Sequence, residues 1–258
     1  MIKAIFFDID GTLVSFKTHT VPQSTQDALE ALRQKGIKLF IASGRPENLM
    51  SHVDGLYFDG YIIMNGAHCF TANHETIYKS VIPHDDLERL IEYNKTSLHP
   101  FVFVYGKEWF ITHLDNAVEE ICQLLKIPAP PIKPITEARN KEISQIMGYF
   151  PTEEDEEVFG KILTHCQPMR WHPIFTDITV KGTSKSSGID RVLEYYNISL
   201  DECIAFGDGG NDINMLQHVG IGIAMGNAAD RVKAAANYVT TSVDEDGIVN
   251  ALKHFGCL

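Results

Sequence analysis

The stretch Ile2-Lys3-Ala4-Ile5-Phe6-Phe7-Asp8-Ile9-Asp10-Gly11-Thr12 decides the fold, because it joins an apolar run to a polar loop. A nearly unbroken apolar run is typical of a central strand that is buried on both faces of a parallel sheet. Functional sites of open α/β sheets lie beyond the carboxyl ends of the strands. Asp8 and Asp10 are therefore candidate site residues, and their side chains point the same way if the strand continues through them.

Two further apolar runs repeat this arrangement. Ile37 to Ala42 ends in Ser43-Gly44-Arg45, and Tyr61 to Met64 ends in Asn65-Gly66. A helix with Ser24 as its N-cap is predicted between the first two strands. The alternation predicts an α/β fold whose core is a doubly wound, Rossmann-like parallel sheet.

The alternation of strand and helix ends after about residue 80. From there the pattern predicts helices and strands of an α+β type, including a helix from Thr152 to about Cys166. The helix–strand alternation of a parallel sheet resumes with a predicted helix at Lys185 to Tyr196 and a strand at Cys203 to Phe206. We therefore predict a discontinuous core of residues 1–82 and 183–258, interrupted by an inserted α+β domain of residues 83–182.

Carboxylates also follow the strand at Cys203 to Phe206, in the loop Gly207-Asp208-Gly209-Gly210-Asn211-Asp212. Taken alone, Asp-x-Asp-Gly is most simply a solvated turn, and the glycine-rich loop is typical of a calcium-binding turn. Sheet topology should bring both loops to the same edge. Asp8, Asp10 and Asp208 would then form an all-oxygen set, which suits Mg²⁺.

Three further features indicate phosphate binding at that edge. Ser43 and Gly44 offer a hydroxyl and unhindered backbone N–H groups to an anion. Lys185 opens the helix that returns the chain to the core, and Arg45 adds a guanidinium. A lone lysine or arginine is usually a surface residue. Lys185 and Arg45 therefore indicate phosphate binding only in combination with the other residues of this edge.

These segments, in this order, resemble the four motifs of the haloacid dehalogenase superfamily. The motifs are matched by Asp8-Ile9-Asp10-Gly11-Thr12, by Ser43-Gly44-Arg45, by Lys185 and by the segment from Gly207 to Leu216. Their form, and an inserted domain between the second and third motifs, are similar to the Cof-like phosphatases with a type C2B cap. The resemblance covers essentially the whole chain. It implies a Mg²⁺-dependent phosphatase of small phosphorylated metabolites, with sugar phosphates as the favoured substrates.

The resemblance also implies a role for each matching residue. Asp8 would be the nucleophile that forms an aspartyl-phosphate. Asp10 would be the general acid and then the general base, and its backbone carbonyl would join Asp8 and Asp208 as metal ligands. Asp212 would act through a metal-bound water or by orienting Lys185, and Thr12 would also support the metal ligands. The groups that would hold the phosphoryl oxygens are the backbone N–H of Ile9, Ser43, Gly44, Lys185 and Asn211.

Several alternatives for the substrate and the reaction stay open. Candidates for contact with the leaving group are Arg45, Asn65, Arg170 and Trp171. A ribityl phosphate of flavin synthesis, a nucleotide and pyridoxal phosphate are alternative substrates in similar proteins. A phosphosugar mutase would share Asp8, Asp10 and the cap. A non-enzymatic domain that senses Mg²⁺ or phosphate would share the acidic cluster, but Asp10 and the cap disfavour it.

Composition limits the partners. The 258 residues carry 22 Lys and Arg against 34 Asp and Glu, a net charge of −12, which disfavours nucleic acid and anionic membranes as partners. Five widely spaced cysteines without a C-x-x-C pair fit a reducing compartment. The apolar run before Asp8 is too short for a signal peptide or a membrane span. We expect a soluble cytoplasmic protein, either a monomer or a weak homo-oligomer, whose partner is a small phosphorylated metabolite.

Overall fold

A computed structural model of the chain describes residues 1–258, except for the side chain of Trp171. The hypothesis that Trp171 contacts a leaving group therefore lies outside the described residues. The chain divides into two compact units. The first comprises residues 1–45, 50–78 and 184–258, and the second comprises residues 46–49 and 79–183. The expected boundaries, after residues 82 and 182, differ from these by a few residues, and a cap function for the second unit stays a prediction.

The first unit is built on an eight-stranded sheet. Its strands are β1 (Ala4–Phe7), β2 (Lys38–Ala42), β3 (Gly60–Ile63), β4 (His68–Thr71), β5 (Thr76–Lys79), β11 (Cys203–Gly207), β12 (Ile221–Ala224) and β13 (Tyr238–Val239). They lie in the order β13-β12-β11-β1-β2-β3-β4-β5. The pairs from β13 to β3 are parallel, whereas β4 runs antiparallel to β3. The predicted α/β fold with a parallel core sheet is confirmed.

The helices of the first unit are α1 (Gln23–Gln34), α5 (Lys185–Tyr196), α6 (Ile213–His218), α7 (Asp230–Lys233) and α8 (Gly247–His254). Helix α5 begins where the sequence provides a cap. The Ser184 hydroxyl accepts the backbone N–H of Ser187 at 3.1 Å, and the Ser187 hydroxyl accepts the N–H of Ser184 at 2.9 Å. This capping box fixes the first turn of α5 and therefore the position of Lys185.

Aromatic and aliphatic side chains on the central strands form the core of the first unit. The rings of Phe6 and Phe40 stack with centroids 4.9 Å apart, and those of Phe7 and Phe206 with centroids 5.3 Å apart. Because successive strand residues point to opposite faces, β1 fills the layers on both sides of the sheet. The sheet is therefore buried on both faces at its centre, which leaves the loops at its carboxyl edge as the place for polar groups.

The second unit contains a five-stranded antiparallel sheet in the order β7-β6-β8-β10-β9. Its strands are β6 (Phe101–Tyr105), β7 (Glu108–Ile111), β8 (Gln145–Gly148), β9 (Cys166–His172) and β10 (Phe175–Val180), and its helices are α2 (His84–Ser97), α3 (Asn116–Leu125) and the short α4 (Asp155–Glu157). Leu87 and Leu90 of α2 belong to the same buried cluster as Phe101, Phe103 and Ile178 of the sheet. This packing makes the second unit an α+β layer structure.

Two local predictions were wrong, and one hairpin was missed. Helix α1 begins after Pro22, and the hydroxyl of Ser24 donates to Asp246 at 2.5 Å instead of capping the helix. The helix expected from Thr152 to Cys166 is a succession of short turns that ends at Ile162. The hairpin of β4 and β5 was not predicted. In the described residues, no helix is long and apolar enough to cross a membrane.

Candidate active site

The candidate active site lies at the carboxyl edge of the first unit's sheet. Strand β1 ends at Phe7, and Asp8 follows it with its backbone N–H donating to the carbonyl of Phe206 at 3.0 Å. Strand β11 ends at Gly207 and is followed by Asp208. Because β1 and β11 are parallel neighbours, the two aspartates leave the same edge of the sheet side by side.

A buried ammonium group lies between two carboxylates of this edge. The Nζ of Lys185 donates to Oδ1 of Asp8 at 2.5 Å and to Oδ1 of Asp212 at 2.6 Å. Both Lys185 and Asp212 are inaccessible or nearly so, with 1% and 0% of their surface exposed. The lysine therefore fixes the position of Asp8 relative to the loop after β11.

Asp212 also shapes the loop that contains Asp208. Its Oδ2 accepts the backbone N–H groups of Asp208 at 2.9 Å and of Gly209 at 2.7 Å. A carboxylate that accepts several hydrogen bonds in the interior is held in one orientation. Of the two roles considered for Asp212, the orienting of Lys185 matches these contacts.

Each carboxylate oxygen of Asp208 accepts a hydrogen bond from a different loop. Thr12 donates its hydroxyl to Oδ1 at 3.3 Å, and Asn227 donates its amide to Oδ2 at 3.1 Å. Gly11 lies against the same carboxylate with φ of +79°, and a Cβ there would be 2.2 Å from Oδ2. Only glycine tolerates both that backbone conformation and that approach.

Burial and mutual repulsion shift the pKa values of these groups. Burial raises the pKa of Asp8 well above its ordinary value of 3.8, Asp212 raises it further, and Lys185 lowers it without cancelling the rise. Burial, followed by repulsion from Asp212, raises the pKa of Asp208 to about 7. Burial disfavours the charge of Lys185, but the carboxylates of Asp212 and Asp8 outweigh this effect and raise its pKa above the ordinary value.

The carboxylates fit a divalent cation. One oxygen from each of Asp8, Asp208 and Asp212 lies within 4.8 Å of the other two. If all three carboxylates are ionised, the single ammonium leaves two negative charges, and burial together with repulsion from Asp212 raises the pKa of both Asp8 and Asp208. An all-oxygen set of this charge is the chemistry that Mg²⁺ prefers.

The side chain of Asp10 is not part of this set, although the sequence predicted it beside Asp8, because it pairs with Arg45. Strand β1 ends before Asp8, and the chain turns tightly, since the carbonyl of Ile9 accepts the N–H of Val14 at 2.8 Å. Arg45 donates Nε to Oδ2 of Asp10 at 2.6 Å and Nη2 to Oδ1 at 2.8 Å. The carboxylate of Asp10 therefore pairs with a guanidinium, and only its backbone carbonyl is left as a proposed metal ligand.

Ser43, Gly44 and Asn211 also lie at this edge. The hydroxyl of Ser43 accepts the N–H of Arg45 at 3.1 Å, and Asn211 donates its amide to Oδ1 of Asn65 at 2.9 Å. Asn65 is fully buried, and a Cβ on Gly44 would lie 3.1 Å from its amide group. The burial of Asn65 favours support of Gly44 and Asn211 over contact with a leaving group.

Arg170 was also expected to contact the leaving group, but its guanidinium is used inside the second unit. Its Nε and Nη2 donate to the carboxylate of Asp155, the latter at 2.6 Å. Its remaining hydrogen bonds go to the carbonyls of Phe150, Pro151 and Pro173. These contacts correspond to a residue that holds its own unit together.

Asn227 was missed from the sequence. It lies in the loop after β12, which is the strand next to β11 in the sheet. The rule that sites follow the carboxyl ends of strands could have found it. A single asparagine carries little chemical signal, however, and no charge or spacing distinguishes it from an ordinary loop residue.

Comparison with known proteins shows the family of this chain. A family model described as haloacid dehalogenase-like hydrolase matches residues 5–252. The protein YkrA of Bacillus subtilis (strain 168) is 36% identical over an alignment of 258 residues. The alignment covers 99% of this chain and 98% of YkrA. A structure of BT4131, described as a sugar phosphatase of subclass IIB in this superfamily, is 45% identical, has a TM-score of 0.90, and covers 99% of this chain and 100% of its own. BT1666 of Bacteroides thetaiotaomicron, from a study of phosphatases of the superfamily, is 40% identical at a TM-score of 0.93, covering 100% of this chain and 96% of its own.

The chain belongs to the haloacid dehalogenase-like hydrolases. Within this family it is a phosphatase of the Cof-like group. Membership of a family of hydrolases favours an enzyme over the non-enzymatic sensing domain considered from the sequence.

Proposed function

We propose that this chain is a Mg²⁺-dependent phosphatase that hydrolyses small phosphomonoesters through an aspartyl-phosphate on Asp8. The observation that carries the proposal is the buried arrangement of Lys185 between Asp8 and Asp212, with Asp208 beside them. This arrangement presents a fixed carboxylate next to a fixed positive charge. Phosphoryl transfer needs this combination, since its transition state is stabilised chiefly by position and charge.

In the first half of the reaction, a carboxylate oxygen of Asp8 attacks phosphorus while the bond from phosphorus to the leaving oxygen breaks. Asp10 gives a proton to that oxygen, so an alcohol departs and a phosphorylated Asp8 remains. In the second half, Asp10 accepts a proton from water as the water attacks phosphorus. Inorganic phosphate leaves, and the carboxylate of Asp8 is regenerated.

The protein groups around Asp8 bind the phosphoryl oxygens. Lys185 supplies a charge, and Ser43, Asn211 and the backbone N–H groups of Ile9 and Gly44 supply hydrogen bonds. Mg²⁺ held by Asp8, Asp208 and the backbone carbonyl of Asp10 would neutralise charge on those oxygens. Thr12 and Asp212 hold these ligands and Lys185 in position.

Sugar phosphates are the proposed substrates. The support is the 45% identity to BT4131, described as a sugar phosphatase, over nearly the whole of both chains. The second candidate is a ribityl phosphate, because a 5-amino-6-(5-phospho-D-ribitylamino)uracil phosphatase of Bacillus subtilis, YitU, is 25% identical over 97% of this chain. The second unit, about residues 83–182, is proposed to act as the cap that contacts the leaving group. The chain is proposed to act as a monomer or a weak homo-oligomer.

The test is phosphate release from p-nitrophenyl phosphate with Mg²⁺ and with EDTA. We expect turnover that depends on the metal and that is lost in Asp8→Asn, while Asp27→Asn, on the exposed face of α1, retains it. Metal-independent turnover, or full turnover by Asp8→Asn, would contradict the proposal. A comparison of kcat/KM across phosphorylated sugars, ribityl phosphates and nucleotides then decides between the two substrate candidates.

A further inference from the structure

Asn227 connects three separate loops at the carboxyl edge of the first unit's sheet. Its Nδ2 donates to the backbone carbonyl of Gly11 at 2.9 Å and to Oδ2 of Asp208 at 3.1 Å. Its Oδ1 accepts the backbone N–H of Val243 at 3.0 Å. One amide group therefore joins the loop after β1, the loop after β11 and the segment after β13.

We infer that Asn227 is a positioning residue for Asp208, which it holds in the orientation needed to bind the divalent cation. The inference rests on the proposed function, in which Asp208 is a metal ligand. It adds a residue that none of the four motifs contains.

The Asp208 carboxylate needs other groups to hold its orientation. A carboxylate can rotate about its bond to Cβ, and rotation would turn its oxygens away from those of Asp8 and Asp212. Thr12 holds Oδ1 at 3.3 Å, and Asn227 holds Oδ2 at 3.1 Å. Two hydrogen bonds from opposite ends of the group restrict this rotation, as hydrogen bonds to metal ligands generally do.

The chemistry of an amide suits this position. An amide donates a hydrogen bond without carrying a charge, so it adds no positive charge that would weaken the attraction between Asp208 and the cation. A lysine or arginine in the same place would compensate that charge and compete with the metal. The amide also has an acceptor oxygen, which Val243 uses to fix the orientation of the amide itself.

The contact with Gly11 extends the effect to the loop that follows the proposed nucleophile. The same Nδ2 reaches both Gly11 and Asp208, so it holds the two loops at a fixed separation. The segment after β13 is anchored in turn, because Ser15 donates to Asp244 at 2.6 Å. Asn227 thus lies at the centre of the hydrogen bonds that position these loops.

The test is Asn227→Ala, studied by direct binding of Mn²⁺ without substrate, with electron paramagnetic resonance reporting the free ion. Loss of hydrogen bonds to metal ligands typically weakens metal affinity by about 10–100-fold. Because Asn227 is an exposed residue and water can replace part of its role, we expect a loss of about tenfold. We also expect kcat with p-nitrophenyl phosphate to recover at saturating Mg²⁺, which a merely misfolded variant would not show.

Asn250→Ala is the matched control. Its amide donates to the hydroxyl of Thr241 and the carbonyl of Glu245, so it stabilises the segment after β13 without touching Asp208. Unchanged Mn²⁺ affinity in this variant, together with a loss in Asn227→Ala, supports the inference. Equal losses in both variants, or none in Asn227→Ala, would overturn it.

Asp208→Asn separates this inference from the proposed function. If Asp208→Asn loses Mn²⁺ affinity and Asn227→Ala does not, only the role of Asn227 is wrong. If Asp208→Asn itself binds Mn²⁺ normally, Asp208 is not a ligand, and the inference is overturned together with the proposed metal site.

Discussion

Replacing Lys185 by methionine removes the ammonium group that lies between two buried carboxylates. The side chain of Lys185 has no exposed surface, and its Nζ contacts Asp8 at 2.5 Å and Asp212 at 2.6 Å. Methionine has a similar length and fills most of the same space. The variant therefore changes the charge of the site far more than its packing.

The expected loss of stability follows from the burial of the pair. Removing one partner of a buried ion pair leaves an uncompensated charge and costs about 3–5 kcal/mol. Lys3→Met is the matched control, because Lys3 pairs with Glu202 at 2.7 Å on the surface, where its side chain is 54% exposed. An exposed pair of this kind contributes little to stability, because solvent screens the two charges.

The pH dependence gives the prediction a second measurement. Without Lys185, the pKa of Asp8 in the folded state rises further, since the positive charge that lowers it is gone. A group whose pKa is raised by folding favours the folded state at low pH, and this contribution is lost as the pH rises through the folded pKa. The difference between wild type and Lys185→Met should therefore be largest near pH 8 and smaller near pH 5.

The assay is urea unfolding in EDTA at both pH values, followed by circular dichroism, with phosphate release measured on the same preparations. We expect Lys185→Met to be destabilised at pH 8 and nearly inactive with Mg²⁺, while Lys3→Met stays close to wild type in both respects. A free energy of unfolding that is unchanged at pH 8, or lowered equally at pH 5 and pH 8, would refute the reasoning about the buried pair.

Three further predictions follow from particular contacts. The metal-free wild type should lose stability as the pH rises from about 4 through 7, because folding raises the pKa of Asp208 from 3.8 to about 7 and that of Asp8 in the same direction. Urea unfolding in EDTA measures this change, and a free energy of unfolding that does not vary with pH would contradict it. Arg45→Met should lower kcat with p-nitrophenyl phosphate about tenfold, because Asp10 loses the guanidinium that orients it. This loss is a fraction of the roughly 10²–10⁴-fold contribution of a general acid, and an unchanged pH–rate profile would count against a role of Arg45 in orienting Asp10. Arg170→Met should cost about 1–3 kcal/mol in urea unfolding and leave the ranking of substrates by kcat/KM unchanged; a changed ranking would restore Arg170 as a specificity residue.

The edge of the sheet that carries the site could be predicted from the sequence for a simple physical reason. Apolar runs that end in polar residues locate both the buried strands and their carboxyl ends. Parallel pairing of β1 with β11 and β2 then brings the loops at Asp8, Ser43 and Asp208 together without any knowledge of side-chain contacts. Lys185 follows from the same logic, because it opens the helix by which the chain returns to the core.

The orientation of individual side chains could not be predicted in this way. The two-residue period of a strand predicted that the side chain of Asp10 points the same way as that of Asp8. Strand β1 ends before Asp10, however, and after the tight turn the carboxylate of Asp10 pairs with Arg45. Arg170 is held by Asp155 and by backbone carbonyls. Such contacts depend on tertiary packing, and neither residue type nor spacing encodes them.

The net charge of −12 does not by itself decide whether this chain binds a phosphate ester. At physiological ionic strength, charges separated by more than about 8 Å are largely screened, so most of the acidic surface acts weakly on the site. Asp8, Asp208 and Asp212 lie within 4.8 Å of one another and are screened little. Burial, followed by repulsion between these carboxylates, raises the pKa of Asp8 and Asp208, and the same carboxylates would repel a phosphate ester, against which Lys185 supplies only one opposing charge. A divalent cation at this set of carboxylates would offset the repulsion of an anionic substrate, and Asp8 and Asp208, two of the repelling groups, are its proposed ligands.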